Sequence, residues 1–335
     1  MLITKPAYYD DFRCIASLCP DSCCKEWDVQ VDDRSAALYR SLPGTLGDRL
    51  REVLRTEDGE TVMTIIDGRC PMWRQDGLCR IQAELGEEAL CKTCREFPRL
   101  THDYGDFLER QLELSCPEAA RILLTAPVAP SVTEEIPGGS QPEYDEGAMA
   151  VLKQTRKTML DLLADDSRSV RETLALALLY GCQAQGELDG EKILDFHADA
   201  AMETILEFAK PGCIRDVLDF FAGLEILTPQ WAARLREPAS CAMPEMVRNL
   251  ARYLTERYWL QAVSDYDLTS RVKFILISCL VVASLGGDFI STAQLFSKEI
   301  ENNWDNVDAI LEAAYTGSAF TDDKLLGMLL GLEES

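Results

Sequence analysis

No apolar stretch in this sequence is long enough to cross a bilayer. The longest, FILISCLVVASL from Phe274 to Leu285, is twelve residues, against the roughly 20 that a spanning helix needs. It reads as a buried helix, and no membrane partner is expected. The opening MLITKPAYYDDF lacks the basic leader and apolar run of a secretory signal, which points to a reducing cytoplasm, where structural disulfides are rare. Histidine is scarce, with only His102 and His197. No GxGxxG follows a strand, no βαβ alternation is visible, and GxSxG, HExxH and P-loop motifs are missing, so the mainstream dinucleotide, serine-hydrolase, zinc-peptidase and NTPase readings have no support. Basic charge is also in deficit: 33 Lys and Arg stand against 57 Asp and Glu, a net charge of −24. Nucleic acid is repelled by such a chain, whereas a lysine-bearing protein surface is weakly attracted.

Cysteine, by contrast, is abundant and crowded. Nine of the thirteen fall within the first 116 residues: Cys14, Cys19, Cys23, Cys24, Cys70, Cys79, Cys91, Cys94 and Cys116. The first group has spacing CxxxxCxxxCC, and the second runs CPMWRQDGLC, then eleven residues, then CKTC. In a reducing compartment these thiols are available as ligands, and thiolates are soft donors suited to zinc or iron. A four-cysteine set such as Cys70, Cys79, Cys91 and Cys94 suits a tetrahedral zinc ion or a [4Fe–4S] cluster, and spacing alone leaves both open. The radical-type CxxxCxxC signature is not met, because Glu26 stands where the third cysteine is needed after Cys19 and Cys23. Cys182, Cys213, Cys241 and Cys279 occur singly and read as small buried hydrophobes.

At 335 residues two domains are expected. The fold class is mainly α: a small, irregular, cysteine-rich α+β domain over residues 1–125, a linker over 126–146, and an all-α helical bundle over 147–335. The linker is read from TAPVAPSVTEEIPGGSQPEYDEG, whose proline, glycine and acid do not sustain a helix. In the first domain a strand is expected over 61–66, a turn at Gln75-Asp76-Gly77, a hairpin around Tyr104-Gly105, and short helices over 33–42, 46–55 and 117–124. Beyond Tyr144, segments such as VRETLALALLYGC and RVKFILISCLVVASL repeat apolar residues at helical spacing.

The strings CIASLCPDSCCKEWDVQVD, CPMWRQDGLCRIQAELGEEALCKTCREFPR and LELSCPEAARILL, in that order, resemble the flagellin lysine-N-methylase family, closely over about residues 1 to 125 and loosely beyond. The resemblance implies methyl transfer from S-adenosylmethionine to lysine side chains of flagellin, with a [4Fe–4S] cluster held by some of the cysteines. The missing glycine-rich turn disfavours the usual nucleotide-type methyltransferase fold. A competing reading is a non-catalytic zinc- or iron-binding cysteine-cluster protein that serves as an interaction or redox-sensing module.

A lysine amine must lose a proton before it attacks a methyl group. Asp67, His102 and Tyr104 are the candidate groups for that step, set against a turn-capping carboxylate and a hairpin tip. Arg95 and Arg99, four residues apart, share a face if the turn after Cys94 is helical, and a guanidinium suits the carboxylate of S-adenosylmethionine; salt bridging to Glu96 or Glu113 is the alternative. Trp27 and Trp73 sit near cysteines, where core packing competes with stacking on adenine.

Overall fold

The computed structural model describes all residues except 24–28, 58, 192–194, 238–240 and 333–335. Its strands are β1 (Leu2–Lys5), β2 (Val29–Gln30), β3 (Leu54–Glu57), β4 (Glu60–Met63), β5 (Arg99–Asp103), β6 (Phe107–Leu112) and β7 (Val132–Glu135). The first helices are α1 (Asp33–Ser41), α2 (Gly44–Val53), α3 (Arg80–Leu85), α4 (Lys92–Glu96) and α5 (Pro117–Thr125). The others are α6 (Glu146–Ala164), α7 (Val170–Leu188), α8 (Ala198–Phe208), α9 (Ile214–Ala222), α10 (Pro229–Arg236), α11 (Met246–Tyr258), α12 (Leu268–Ser284), α13 (Phe289–Phe296), α14 (Trp304–Thr316) and α15 (Asp322–Leu330). The fold is mainly α, with α+β character confined to the front of the chain, and no described helix is long and apolar enough to cross a membrane.

The chain divides into two compact units: a thiol unit, Asp11–Leu100 with Leu112–Ala119, and a helical unit, Met1–Asp10, Thr101–Gln111 and Ala120–Ser335. Stretch 126–146, read from its prolines and glycines as a linker, carries β7, which pairs antiparallel with β1 from Leu2↔Glu135 to Lys5↔Val132. All four residues of β7 are exposed, so no apolar alternation marks it. β1 also pairs parallel with β6, Leu2 opposite Phe107 and Thr4 opposite Glu109, in a sheet of order β5-β6-β1-β7.

In the helical unit, α12 is buried over all its residues but Thr269, as expected of the apolar Phe274–Leu285 run. It packs on α7, α11, α14, α9 and α13. Its one buried ammonium, Lys273 Nζ, donates to the carbonyls of Ala314 (2.9 Å) and Phe320 (3.1 Å) and pairs with Asp322 at 2.7 Å, which offsets the cost of burying a charge. The expected start of α7 carries a capping box, Ser169 with Glu172. The thiol unit has an antiparallel sheet of order β2-β4-β3, and its core joins Val29, Tyr39, Leu50, Met63 and Met72 to cysteine sulfurs.

α7 packs tightly on α12 at Gly181, where an added Cβ would stand 2.5 Å from Val272 Cγ1. Gly181→Ala is expected to cost about 1–3 kcal/mol by overpacking, read from chemical denaturation. Combined with Val272→Ala it should cost less than the sum of the two single changes, since the pair is in contact.

Candidate metal centre

The loop from Cys70 to Cys79 is folded back on itself by its backbone. Trp73 donates to the Cys70 carbonyl (2.9 Å), Arg74 to Leu78 (2.9 Å), Gly77 to Arg74 (3.0 Å) and Arg80 to Met72 (2.7 Å), and Trp73 bridges Cys79. The Gln75-Asp76-Gly77 turn is therefore where the sequence placed it, and it brings the two cysteines back to one core. Cys91 and Cys94 are presented by the first turn of α4, which two tethers hold. The Lys92 amide donates to Asp32 Oδ2 at 2.8 Å, while Asp32 Oδ1 accepts from Ser35 at 3.0 Å as the N-cap of α1. The Thr93 hydroxyl donates to the Gln30 carbonyl at 2.9 Å.

Cys70 and Cys91 are 6% and 1% exposed within the thiol unit's core, and Cys79 and Cys94 pack against it half-buried. The Cys94 side chain hydrogen-bonds Cys91 and holds the Cys91 thiol below its ordinary pKa, against the opposing effect of burial, which eases formation of a thiolate ligand. Cys70 Sγ lies 3.5 Å from Met63 Sδ. Tyr39 stands among these sulfurs, its hydroxyl donating to the Ala89 carbonyl at 2.7 Å. Burial, and then the charges of Cys91, Cys94 and Cys79, push its pKa up. A second group forms around Cys116, pushed up to about 11 by burial with Cys19 and Cys14 acting on it. Cys19 is raised by burial as well. Cys14 and Cys23 are exposed, and Cys24, like Trp27, lies outside the described residues.

As the side chains stand, no three His, Cys, Asp or Glu of the described residues form a ready ligand set for one ion. The donor chemistry fits a thiophilic metal, with soft sulfurs from two sequence-distant loops on one core and one pair, Cys91 and Cys94, already in contact. Cys182 and Cys279 belong to the helical unit, and burial raises both, Cys182 to about 11; Cys279 is buried as a packed hydrophobe, whereas Cys182, Cys213 and Cys241 are partly exposed. Beside Cys19 a cleft of about 170 Å³ is lined by Ser17, Asp21, Ser22, Arg69 and Trp73, with the Arg69 guanidinium 3.9 Å from the Trp73 ring.

The other candidates are spread over both units. Asp67 and Gly68 have φ of 51° and 71° at the centre of a turn closed by reciprocal Ile66–Arg69 hydrogen bonds of 2.9 and 3.0 Å, so the Asp-Gly pair is accounted for by turn geometry. His102 and Tyr104 belong to the helical unit, on the expected hairpin. Burial drives His102 down to about 4, and its Nε2 has no hydrogen-bond partner among the described residues. Arg95 and Arg99 do not share a helical face: α4 stops at Glu96 and Phe97 is extended, as a residue before proline prefers, so Arg99 opens β5 with its guanidinium 5.2 Å from the Phe12 ring.

The flagellar biosynthetic protein FliU of Salmonella muenchen is 34% identical over 140 residues, 40% of this chain and 83% of that protein. This chain belongs to the flagellin lysine-N-methylase family. Two proteins named Lysine-N-methylase, from Salmonella choleraesuis and Salmonella typhimurium, are each 33% identical over 140 residues, again 40% of this chain. The match spans about a third, 35%, of those two relatives' length. No family model and no solved structure matches the chain. In this family member, Asp32 and Tyr39 are the residues that sequence reasoning missed. The only signal for Asp32 was its place as an N-cap before a helical pattern.

The amides of Lys92 and Ser35 hold the Asp32 carboxyl at about 2, below the unfolded value of about 3.9. The folded state therefore gives up this proton more readily than the unfolded one, and the stability Asp32 lends is complete above pH ~4 and lost as pH falls toward ~2. Asp32→Asn is expected to cost about 1 kcal/mol near neutrality and to flatten the acid limb of a pH–stability profile in that window.

Proposed function

We propose that this chain, working in a reducing cytoplasm, transfers a methyl group from S-adenosylmethionine to the side-chain amine of flagellin lysines. In this reading the thiol unit holds a cysteine-ligated [4Fe–4S] cluster. The observation that carries the reading is the likeness to proteins named Lysine-N-methylase, and the name of the third relative, a flagellar biosynthetic protein, supports flagellin as the acceptor. The electron pair of a neutral lysine nitrogen attacks the methyl carbon, a C–N bond forms, and the C–S bond of the sulfonium breaks to release S-adenosylhomocysteine. One proton leaves the nitrogen. Because free lysine has a pKa of about 10.4, that proton must depart before attack, in a site that removes water or offers an acceptor.

Within the thiol unit, Cys70, Cys79, Cys91 and Cys94 are the proposed primary ligands, with Asp32 and Thr93 fixing the turn that presents the last two. A bound cluster supplies a soft metal centre and a cross-link between the two loops; zinc on the same thiolates would supply the cross-link alone. The cleft beside Cys19 is our choice for S-adenosylmethionine: Trp73 offers a ring for the purine, and Arg69 a guanidinium for the carboxylate. Arg95 and Arg99 do not line that cleft and are the proposed carboxylate partners in the alternative placement of the cofactor, beside α4 and the start of β5.

The test is incubation of anaerobically purified protein with methyl-labelled S-adenosylmethionine and flagellin. Label on lysine is expected, with iron and inorganic sulfide in the protein. The double variant Cys91→Ser/Cys94→Ser should lose metal and reduce labelling at least about tenfold, whereas Cys279→Ser keeps the metal. Stoichiometric zinc without sulfide overturns the cluster, and unlabelled lysine at full iron and sulfide occupancy overturns the enzyme in favour of an interaction module.

A further inference from the structure

The helical unit holds a cleft of about 590 Å³ at the β5–β6 turn, walled by Tyr104, Tyr144, Asp103, Glu143, His102 and Arg271. The two tyrosine rings stand at 84° with centroids 6.4 Å apart, which makes a corner of two aromatic faces. Both rings are braced. Tyr104 stacks on Phe107 at 4.6 Å, and the Tyr144 hydroxyl donates to Asp106 Oδ1 at 2.7 Å. The segment bearing Tyr144 is anchored at Gly105, whose carbonyl accepts from Ser140 at 2.9 Å. With φ of 91° and Ser140 Oγ 3.0 Å from an added Cβ, position 105 requires glycine.

The charge of this corner favours a cation. Asp103 and Glu143 bring two carboxylates, whereas the guanidinium of Arg271 is already paired with Asp265 at 3.0 and 2.8 Å. The same aromatic stack already engages one ammonium: Lys153 Nζ lies 3.5 Å from the Phe107 ring centroid. Burial raises both tyrosine hydroxyls and lowers His102, so near neutrality all three wall groups are uncharged and none repels a cation.

We infer that this corner binds the side-chain ammonium of a lysine on the protein substrate, with preference for its methylated form, against Tyr104 and Tyr144. The inference rests on the lysine-methylation reading and deepens it. Methylation keeps the positive charge, removes N–H donors and adds apolar surface, and aromatic faces reward each of those changes. Such a site stabilises the protonated amine, so it recognises the acceptor or the product and is not the place where the lysine proton departs.

The test uses the full chain without S-adenosylmethionine, titrated by calorimetry with three peptides identical but for one residue: trimethyl-lysine, lysine, or norleucine. Trimethyl-lysine is expected to bind tightest and norleucine at least about tenfold more weakly. Tyr144→Leu should weaken trimethyl-lysine binding about tenfold while Tyr144→Phe restores it. Glu143→Gln, an exposed change that leaves packing intact, should weaken it about threefold. Equal affinity for norleucine, or unchanged binding in folded Tyr144→Leu and Glu143→Gln, overturns the inference. Peptide binding without methyl transfer would sink the enzyme reading alone, and methyl transfer undiminished by Tyr144→Leu, with no peptide preference, would sink only this one.

Discussion

The carboxylate of Asp32 accepts from the amides of Ser35 and Lys92, so the first turn of α1 and the turn that carries Cys91 and Cys94 share a single anion. Sixty residues of chain separate Lys92 from Asp32. Closing such a loop costs conformational entropy that a small core repays poorly, and the charge-assisted bonds to Asp32 help to offset it. Tyr39 completes the arrangement from the same helix, reaching the Ala89 carbonyl just before the thiol turn. The placement of the sulfurs in this unit thus depends on polar contacts made by residues that carry no sulfur themselves.

The helical unit handles an opposite problem, that of charges carried inside an apolar bundle. Glu109 on β6 receives both arms of Arg156 from α6 at 2.8 and 2.5 Å, and Arg257 meets Glu301 at 3.3 Å beside the hydroxyls of Tyr253 and Tyr258. Lys273 is met by carbonyls and Asp322, and the buried Glu299 accepts from the Leu227 amide and the Thr228 hydroxyl. Such ion pairs add little net stability, because desolvation consumes much of their attraction.

Much of this was legible in the sequence. The period of the apolar residues marked α6, α7, α11 and α12, the Gln75-Asp76-Gly77 and Tyr104-Gly105 turns were announced by their residues, and the crowding of cysteine pointed to the thiol unit. Chain topology was not legible, because pairing of β1 with β6 and β7 is decided by partners more than a hundred residues away. The exposed β7 has no pattern at all to report it. His102 and Tyr104 sit near cysteines in the sequence yet belong to the helical unit, since proximity along the chain is overruled by sheet pairing. The Arg95–Arg99 spacing suggested a shared face, and the proline between them ended the helix that the suggestion needed.

The sheet has one more consequence, concerning the order of synthesis. β1 leaves the ribosome before the thiol unit, but its neighbours Phe107–Glu109 and Val132–Glu135 follow only after Asp11–Leu100 has emerged. The stretch that carries Cys70, Cys79, Cys91 and Cys94 is therefore already made, with Leu112–Ala119 still to come, while the strand that precedes it waits unpaired for its host.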